Sequence, residues 1–266
     1  MNDPLRSPTI QDYPASEHPT WRLVTQELLA MAAAGVLHPF GRRASRHSTP
    51  RRPSQQTVVL VHGYLANRST LLPVAGYLRW RGFRQVLSFN YRSSEGVERG
   101  AIALRDYLRR HVRGGRIDLV CHSLGGLVAR AYLQELGGAR RVDHCITLGT
   151  PHQGTYNSYW LASRVGWELR PDSPFLARLA ASRRNANEVL FTSVVAGSDN
   201  LVVPRVFAAH EEEVRIPDVG HVGLLFSPQA LRIVADRLLE DPAESRRNRF
   251  PLPGRAARGA AARSEA

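Results

Sequence analysis

Residues 116–127 read Arg-Ile-Asp-Leu-Val-Cys-His-Ser-Leu-Gly-Gly-Leu, an apolar run that breaks at Ser123 and restarts with helical spacing. A strand that turns sharply through a serine into a helix pushes the hydroxyl out of the sheet. Gly125 then lets the helix pack close to the strands. Working outward, residues 57–62 are a continuous apolar, largely β-branched run, as expected of a strand buried on both faces. Residues 71–80 read as helix and 85–91 as strand. Residues 97–112 read as an amphipathic helix with Ala101, Leu104 and Leu108 on one side. Strand 116–122, helix 124–137 and strand 142–148 follow, the helix closing at Gly137-Gly138. This alternation predicts an α/β chain: a mostly parallel sheet of about six strands with helices on both faces.

The rest of the chain divides around that unit. Residues 1–56 read as an N-terminal helix (20–37) and a basic linker, 57–240 as the main domain, and 241–266 as a disordered Arg/Ala-rich tail. Between 150 and 187 the alternation stops. Tyr156, Tyr159, Trp160, Trp167, Phe175, Leu176 and Leu179 accumulate there, broken by Pro171 and Pro174. A connection this long is functional or has structure of its own. It predicts a small helical cap over the carboxyl edge of the sheet. Its aromatics either face the cleft or pack the cap onto the body.

The net charge of +13 comes with 36 basic residues, all of them arginine. Five lie in 41–56 with no acid, and six lie in 243–266 against two glutamates, so most of the excess sits in linker and tail. No recognition motif accompanies it, and no nucleic-acid partner is expected. Cys121 and Cys145 fall on neighbouring strands at different heights, which predicts free buried thiols. The first twenty residues carry four prolines and three acids, unlike a secretory signal, so a cytoplasmic location is expected. The apolar stretch 23–37 is too short to span a bilayer. Trp21, Val24, Leu28, Met31 and Gly35 recur along it at helical spacing. Three readings stay open: a helix packed on the domain, an interfacial helix giving peripheral membrane contact through 20–52, or an atypical export signal.

A serine hydroxyl needs a base, a group that orients the base, and donors for a developing oxyanion. Ser123 is the candidate nucleophile. Among ten histidines, His122 adjoins it on a turn that points neighbours apart, His62 braces a loop, and His152 is placed to line the cleft. His221, in Val-Gly-His-Val-Gly after the last strand, is the candidate base. Asp199 follows strand 190–196 and is the candidate orienting acid; Asp218, only three positions before His221, is its rival. The candidate oxyanion donors are the backbone amides of Tyr64 and Leu124. The chain order Ser–Asp–His is the one this architecture uses.

The chain resembles bacterial lipases and esterases of the α/β-hydrolase superfamily, in particular the triacylglycerol-lipase-like branch. The resemblance rests on Val-Leu-Val-His-Gly-Tyr (59–64), Cys-His-Ser-Leu-Gly-Gly (121–126) and Leu-Gly-Thr-Pro-His-Gln-Gly-Thr (148–155). Gly-Ser-Asp-Asn-Leu-Val-Val-Pro (197–204) and Gly-His-Val-Gly-Leu-Leu (220–225) complete it. It implies the α/β-hydrolase fold and a serine ester hydrolase with Ser123, Asp199 and His221 catalytic, acting on lipid-like acyl esters. Cys121 stands where the family pattern has glycine, which implies a slightly wider elbow. No cofactor and no metal is expected, since no carboxylate cluster suits a structural calcium. Trp160, Trp167 and Phe175 are the candidate acyl-binding side chains. An acyltransferase on the same residues, or a catalytically silent lipid- or membrane-binding protein, are the alternatives. Acyl length and oligomeric state are not legible.

Overall fold

A computed structural model describes residues 20–42, 56–112, 114–202 and 212–249. Six strands form one all-parallel sheet: β1 (Thr57–Val61), β2 (Val86–Phe89), β3 (Ile117–His122), β4 (Val142–Leu148), β5 (Leu190–Ala196) and β6 (Glu212–Ile216). Their spatial order is β2-β1-β3-β4-β5-β6. The chain therefore builds outward from β1 to one edge, returns, and continues from β3 to the other. The crevice between the carboxyl ends of β1 and β3 is where the winding reverses, and ligands bind such a place in open α/β sheets.

Strand parity sorts the core into two layers, because successive side chains point to opposite faces. Val59, Val61, Leu119 and Cys121 meet helices α3 (Val97–His111) and α4 (Leu124–Glu135) through Leu104, Leu108, Leu127 and Val128. Val58, Leu60, Val120, Ile146 and Leu148 meet α2 (Leu72–Trp80) and α7 (Pro228–Leu239) through Val74, Leu78, Val234 and Leu238. Each fully buried leucine contributes about 2 kcal/mol by transfer from water. As expected, the helix after Ser123 terminates in a left-handed glycine, Gly137 at φ 74°. Neither cysteine is in a disulfide, and both are buried. Cys145 sits opposite Leu119 and Cys121 opposite Thr147, an offset of two residues between them.

One expected segment holds and one differs. The stretch 150–187 is helical, with a 3-10 turn at Tyr156–Trp160, then α5 (Arg164–Glu168) and α6 (Pro174–Ala181). Its apolar residues Val165, Leu169, Phe175, Leu176 and Leu179 join the α3/α4 core. Glu168 also accepts the Val97 amide at 2.7 Å, capping α3. Residues 242–249, assigned by composition to a disordered tail, form helix α8 (Pro242–Arg249). Arg246 fastens it, donating to the Glu188 carbonyl (2.7 Å) and to Asp143 (2.6 Å). The rest of that tail, 250–266, and most of the basic linker, 43–55, lie outside the described residues. The N-terminal helix α1 spans Thr20–Leu37, and no helix among the described residues is long and apolar enough to cross a membrane.

Candidate active site

Ser123 occupies the turn between β3 and α4 with φ 53° and ψ −126°, a conformation L-residues rarely adopt. Three hydrogen bonds hold it there. Its amide donates to the Leu148 carbonyl (2.9 Å), and its carbonyl accepts from the Gly126 amide (3.0 Å) and the Thr150 hydroxyl (2.9 Å). Glycines make the turn possible by close approach. A Cβ at Gly125 would sit 2.5 Å from the Val61 carbonyl oxygen, and one at Gly63 would sit 3.0 Å from the Ser123 Cβ. The serine is thus held at the crevice between β1 and β3.

His221 and Asp199 come together from the loops after β6 and β5. The Nδ1–H of His221 donates to Asp199 Oδ2 at 2.7 Å, and both side chains are buried. Asp199 Oδ1 accepts the Leu201 and Val202 amides, each at 2.9 Å. Burial pushes the Asp199 carboxyl up. The His221 hydrogen bond and charge, with the two amides, more than offset this and leave it below the ordinary carboxylate range. Donation from Nδ1 leaves the His221 Nε2 with the lone pair a base requires.

Ser123 and His221 line one cavity of about 810 Å³. Its walls are largely apolar: Tyr64, Leu65, Leu161, Leu169, Leu201, Val202 and Leu225, with Met31, Ala34 and Gly35 of α1. Among the described residues, histidines and Tyr64 are the only titratable side chains that line it. Tyr64 stands in the loop after β1, where the Leu65 amide is pinned to Ser93 Oγ (2.9 Å). Leu124 is the first residue of α4, so its amide has no partner within the helix.

The other candidates are placed elsewhere. His62 donates from Nδ1 to the Gly63 carbonyl (2.9 Å), accepts the Tyr91 amide at Nε2 (3.3 Å) and stacks on the Tyr91 ring. His122 donates to the His221 carbonyl at 3.2 Å and so supports the opposite loop. His152 does not line this cavity; it lies against Arg130 and Thr147, lining a separate cavity of about 530 Å³. Asp218, at φ 56°, turns the chain after β6. The three proposed acyl-binding aromatics also miss the cavity. Trp160 is 89% and Trp167 62% exposed, the latter covered by the Arg170 guanidinium at 3.5 Å, while Phe175 is buried in the main core. α6 packs on α4, and Val165 of α5 joins the same core.

Sequence reading also passed over residues of α1. Met31, Ala34 and Gly35 wall the cavity, and Glu27 reaches the His221 loop. The helical spacing of Trp21, Val24, Leu28, Met31 and Gly35 was legible, but not that its first three residues lie exposed while Met31 and Gly35 wall the cavity. The one signal was the pair of glycines flanking His221.

The sequence model of the palmitoyl protein thioesterase family matches residues 88–205, a stretch that includes Ser123 and Asp199. Among solved structures, the mature lipase BlEst2 of Bacillus licheniformis superposes with a TM-score of 0.60 at 14% identity. The match covers 74% of this chain and 96% of that one. Lipase B of Aspergillus fumigatus matches with a TM-score of 0.58 at 16% identity, over 76% of this chain and 57% of its own. The lin2722 gene product of Listeria innocua matches with a TM-score of 0.54 at 16% identity, over 71% and 95%. These likenesses show the α/β-hydrolase fold.

Proposed function

We propose that this chain is a serine ester hydrolase acting on uncharged, long-chain acyl esters. One observation carries the reading. A serine at a strained strand–helix elbow shares an apolar cavity with a histidine whose Nδ1 is held 2.7 Å from a buried carboxylate. In this reading Ser123 attacks the ester carbonyl as His221 Nε2 takes its proton. Asp199 keeps the imidazole in the required tautomer and stabilises the imidazolium. The amides of Tyr64 and Leu124 receive the oxyanion, and the alcohol leaves with the proton returned by His221. Water, activated by the same histidine, then releases the acid.

The cavity argues for the substrate. A volume of about 810 Å³ is ample for a long acyl chain. No carboxylate or guanidinium lines it among the described residues, so a charged acyl terminus would find no partner among them. The palmitoyl protein thioesterase match adds a second reading, that the acyl chain arrives as a thioester; the two steps are otherwise the same. The exposed apolar side of α1, followed by the arginines of 41–56, supports delivery of substrate from an anionic lipid surface.

Hydrolysis of p-nitrophenyl esters and acyl thioesters from acetyl to palmitoyl, compared with the Ser123→Ala protein, tests the proposal. The expected result is activity rising with chain length and lost in the variant by at least about 10⁴-fold. Equal activity of wild type and variant overturns it.

A further inference from the structure

The loop that carries His221 is held from four directions, three of which belong to the main domain or to the ring's own partner. Asp199 accepts the Nδ1–H hydrogen bond, His122 donates to the His221 carbonyl, and the Val219 carbonyl accepts the Ser198 amide. The fourth comes from α1. The Glu27 carboxylate accepts the Val222 amide at Oε1 (2.6 Å) and the Gly223 amide at Oε2 (2.9 Å), from 195 residues away in sequence. These are the two amides directly after His221. Hydrogen bonds to an ionised carboxylate are short and roughly twice as strong as neutral ones, and two on consecutive amides fix orientation as well as distance.

The loop sequence is shaped to this carboxylate. A Cβ at Gly220 would overlap Glu27 Oε2, closer than van der Waals contact allows, and one at Gly223 would lie 3.2 Å from the same atom. Neither glycine has a positive φ, so backbone freedom does not explain them; room for Glu27 does. The helix itself is seated. Ala30 is buried, and beyond its end the His38 carbonyl accepts Asn67 Nδ2 at 2.9 Å. One turn beyond Glu27, Met31, Ala34 and Gly35 line the same cavity as Ser123.

We propose that Glu27 is a positioning residue for His221, so that the site is complete only while α1 is docked against the sheet. Resting on the ester-hydrolase reading, this goes beyond it: the N-terminal helix both walls the cavity and holds the general base in register with the nucleophile. Glu27 touches no reacting atom and acts through the backbone of Val222 and Gly223.

The test is steady-state hydrolysis of p-nitrophenyl acetate by the full-length Glu27→Ala, Glu27→Gln and Gly220→Ala proteins, with amide hydrogen exchange at Val222 and Gly223. An acetyl group is too short to need the α1 wall, so a packing role would leave its turnover unchanged. The expected result is a kcat lower by about tenfold or more in Glu27→Ala with KM within about twofold, together with faster exchange at both amides. Glu27→Gln, which keeps one acceptor oxygen, recovers part of the loss. Gly220→Ala reproduces the loss with Glu27 still present, and with Glu27→Gln it carries the test if Glu27→Ala does not fold. Faster exchange with an unchanged kcat overturns the proposal. A wild type that neither hydrolyses the ester nor takes a fluorophosphonate overturns the enzymatic reading instead, a distinct result.

Discussion

His62, His122 and His152 are buried as neutral rings, and each is committed to partners other than Ser123. Burial lowers His62 to about 4 and His122 to about 3, the latter helped by the neighbouring His221, and holds His152 well below the ordinary value. Their folded-state affinity for a proton is weaker than in the unfolded chain. Stability is therefore fully present above about pH 6.5 and falls as pH drops from there toward 4, where the unfolded chain binds more protons. For His62 alone the loss approaches about 3 kcal/mol. Denaturant unfolding between pH 4.5 and 7.5 checks this: His62→Gln is expected to flatten the slope by about one proton, and an unchanged slope would refute it. Much of the candidate site was legible residue by residue, because Ser123, Asp199 and His221 each follow a strand end, where chain order limits the choices. Glu27 was not, since two backbone amides leave no mark on the residue that accepts them, beyond glycines that have other uses.

At the scale of elements, the strands and main helices could be read because burial on both faces of a parallel sheet gives continuous apolar runs. What periodicity gives is a stripe, without saying what the stripe meets. In α1 the stripe runs from Trp21, Val24 and Leu28, which are exposed, to Met31 and Gly35, which line the cavity, while Ala30 is buried against the body. In the segment 150–187 the conspicuous tryptophans are outside and the plain leucines inside. The cavity proposed to take the acyl chain is accordingly walled by Met31, Leu161, Leu169 and Leu225, not by the tryptophans. Met31→Trp is expected to shift the preferred acyl chain shorter by several carbons, whereas Trp160→Ala should leave the chain-length profile as it is. The opposite pattern would place the acyl chain against the cap's outer surface. Helix α8 escaped composition-based reading because its stability comes from Arg246 reaching Asp143 and the Glu188 carbonyl, which an Arg-rich tail sequence does not advertise.

At the scale of the whole molecule, one exposed apolar surface lies on α1 and at the cavity mouth, and the sequence that follows α1 is rich in arginine. Trp21, Val24, Leu28 and Leu29 are exposed on α1, Met31 is exposed at the cavity, and five arginines follow in 41–56. Leu65 and Leu201, also at the cavity, are likewise exposed. An apolar rim in a chain with an arginine-rich neighbouring segment suits an anionic bilayer, each arginine that reaches the surface adding about 1 kcal/mol. Sedimentation with phosphatidylserine-containing vesicles is expected to retain the protein, and Leu28→Glu combined with Leu29→Glu to release it. Equal retention of both proteins would exclude α1 as the contact. The account as a whole turns on Ser123 being an activated nucleophile within an assembled site. Intact-mass and peptide mapping after treatment with a long-chain alkyl fluorophosphonate tests this most directly. One adduct on Ser123, abolished in His221→Ala, is the result predicted; an unlabelled Ser123 in folded protein, or labelling that persists without His221, would contradict it.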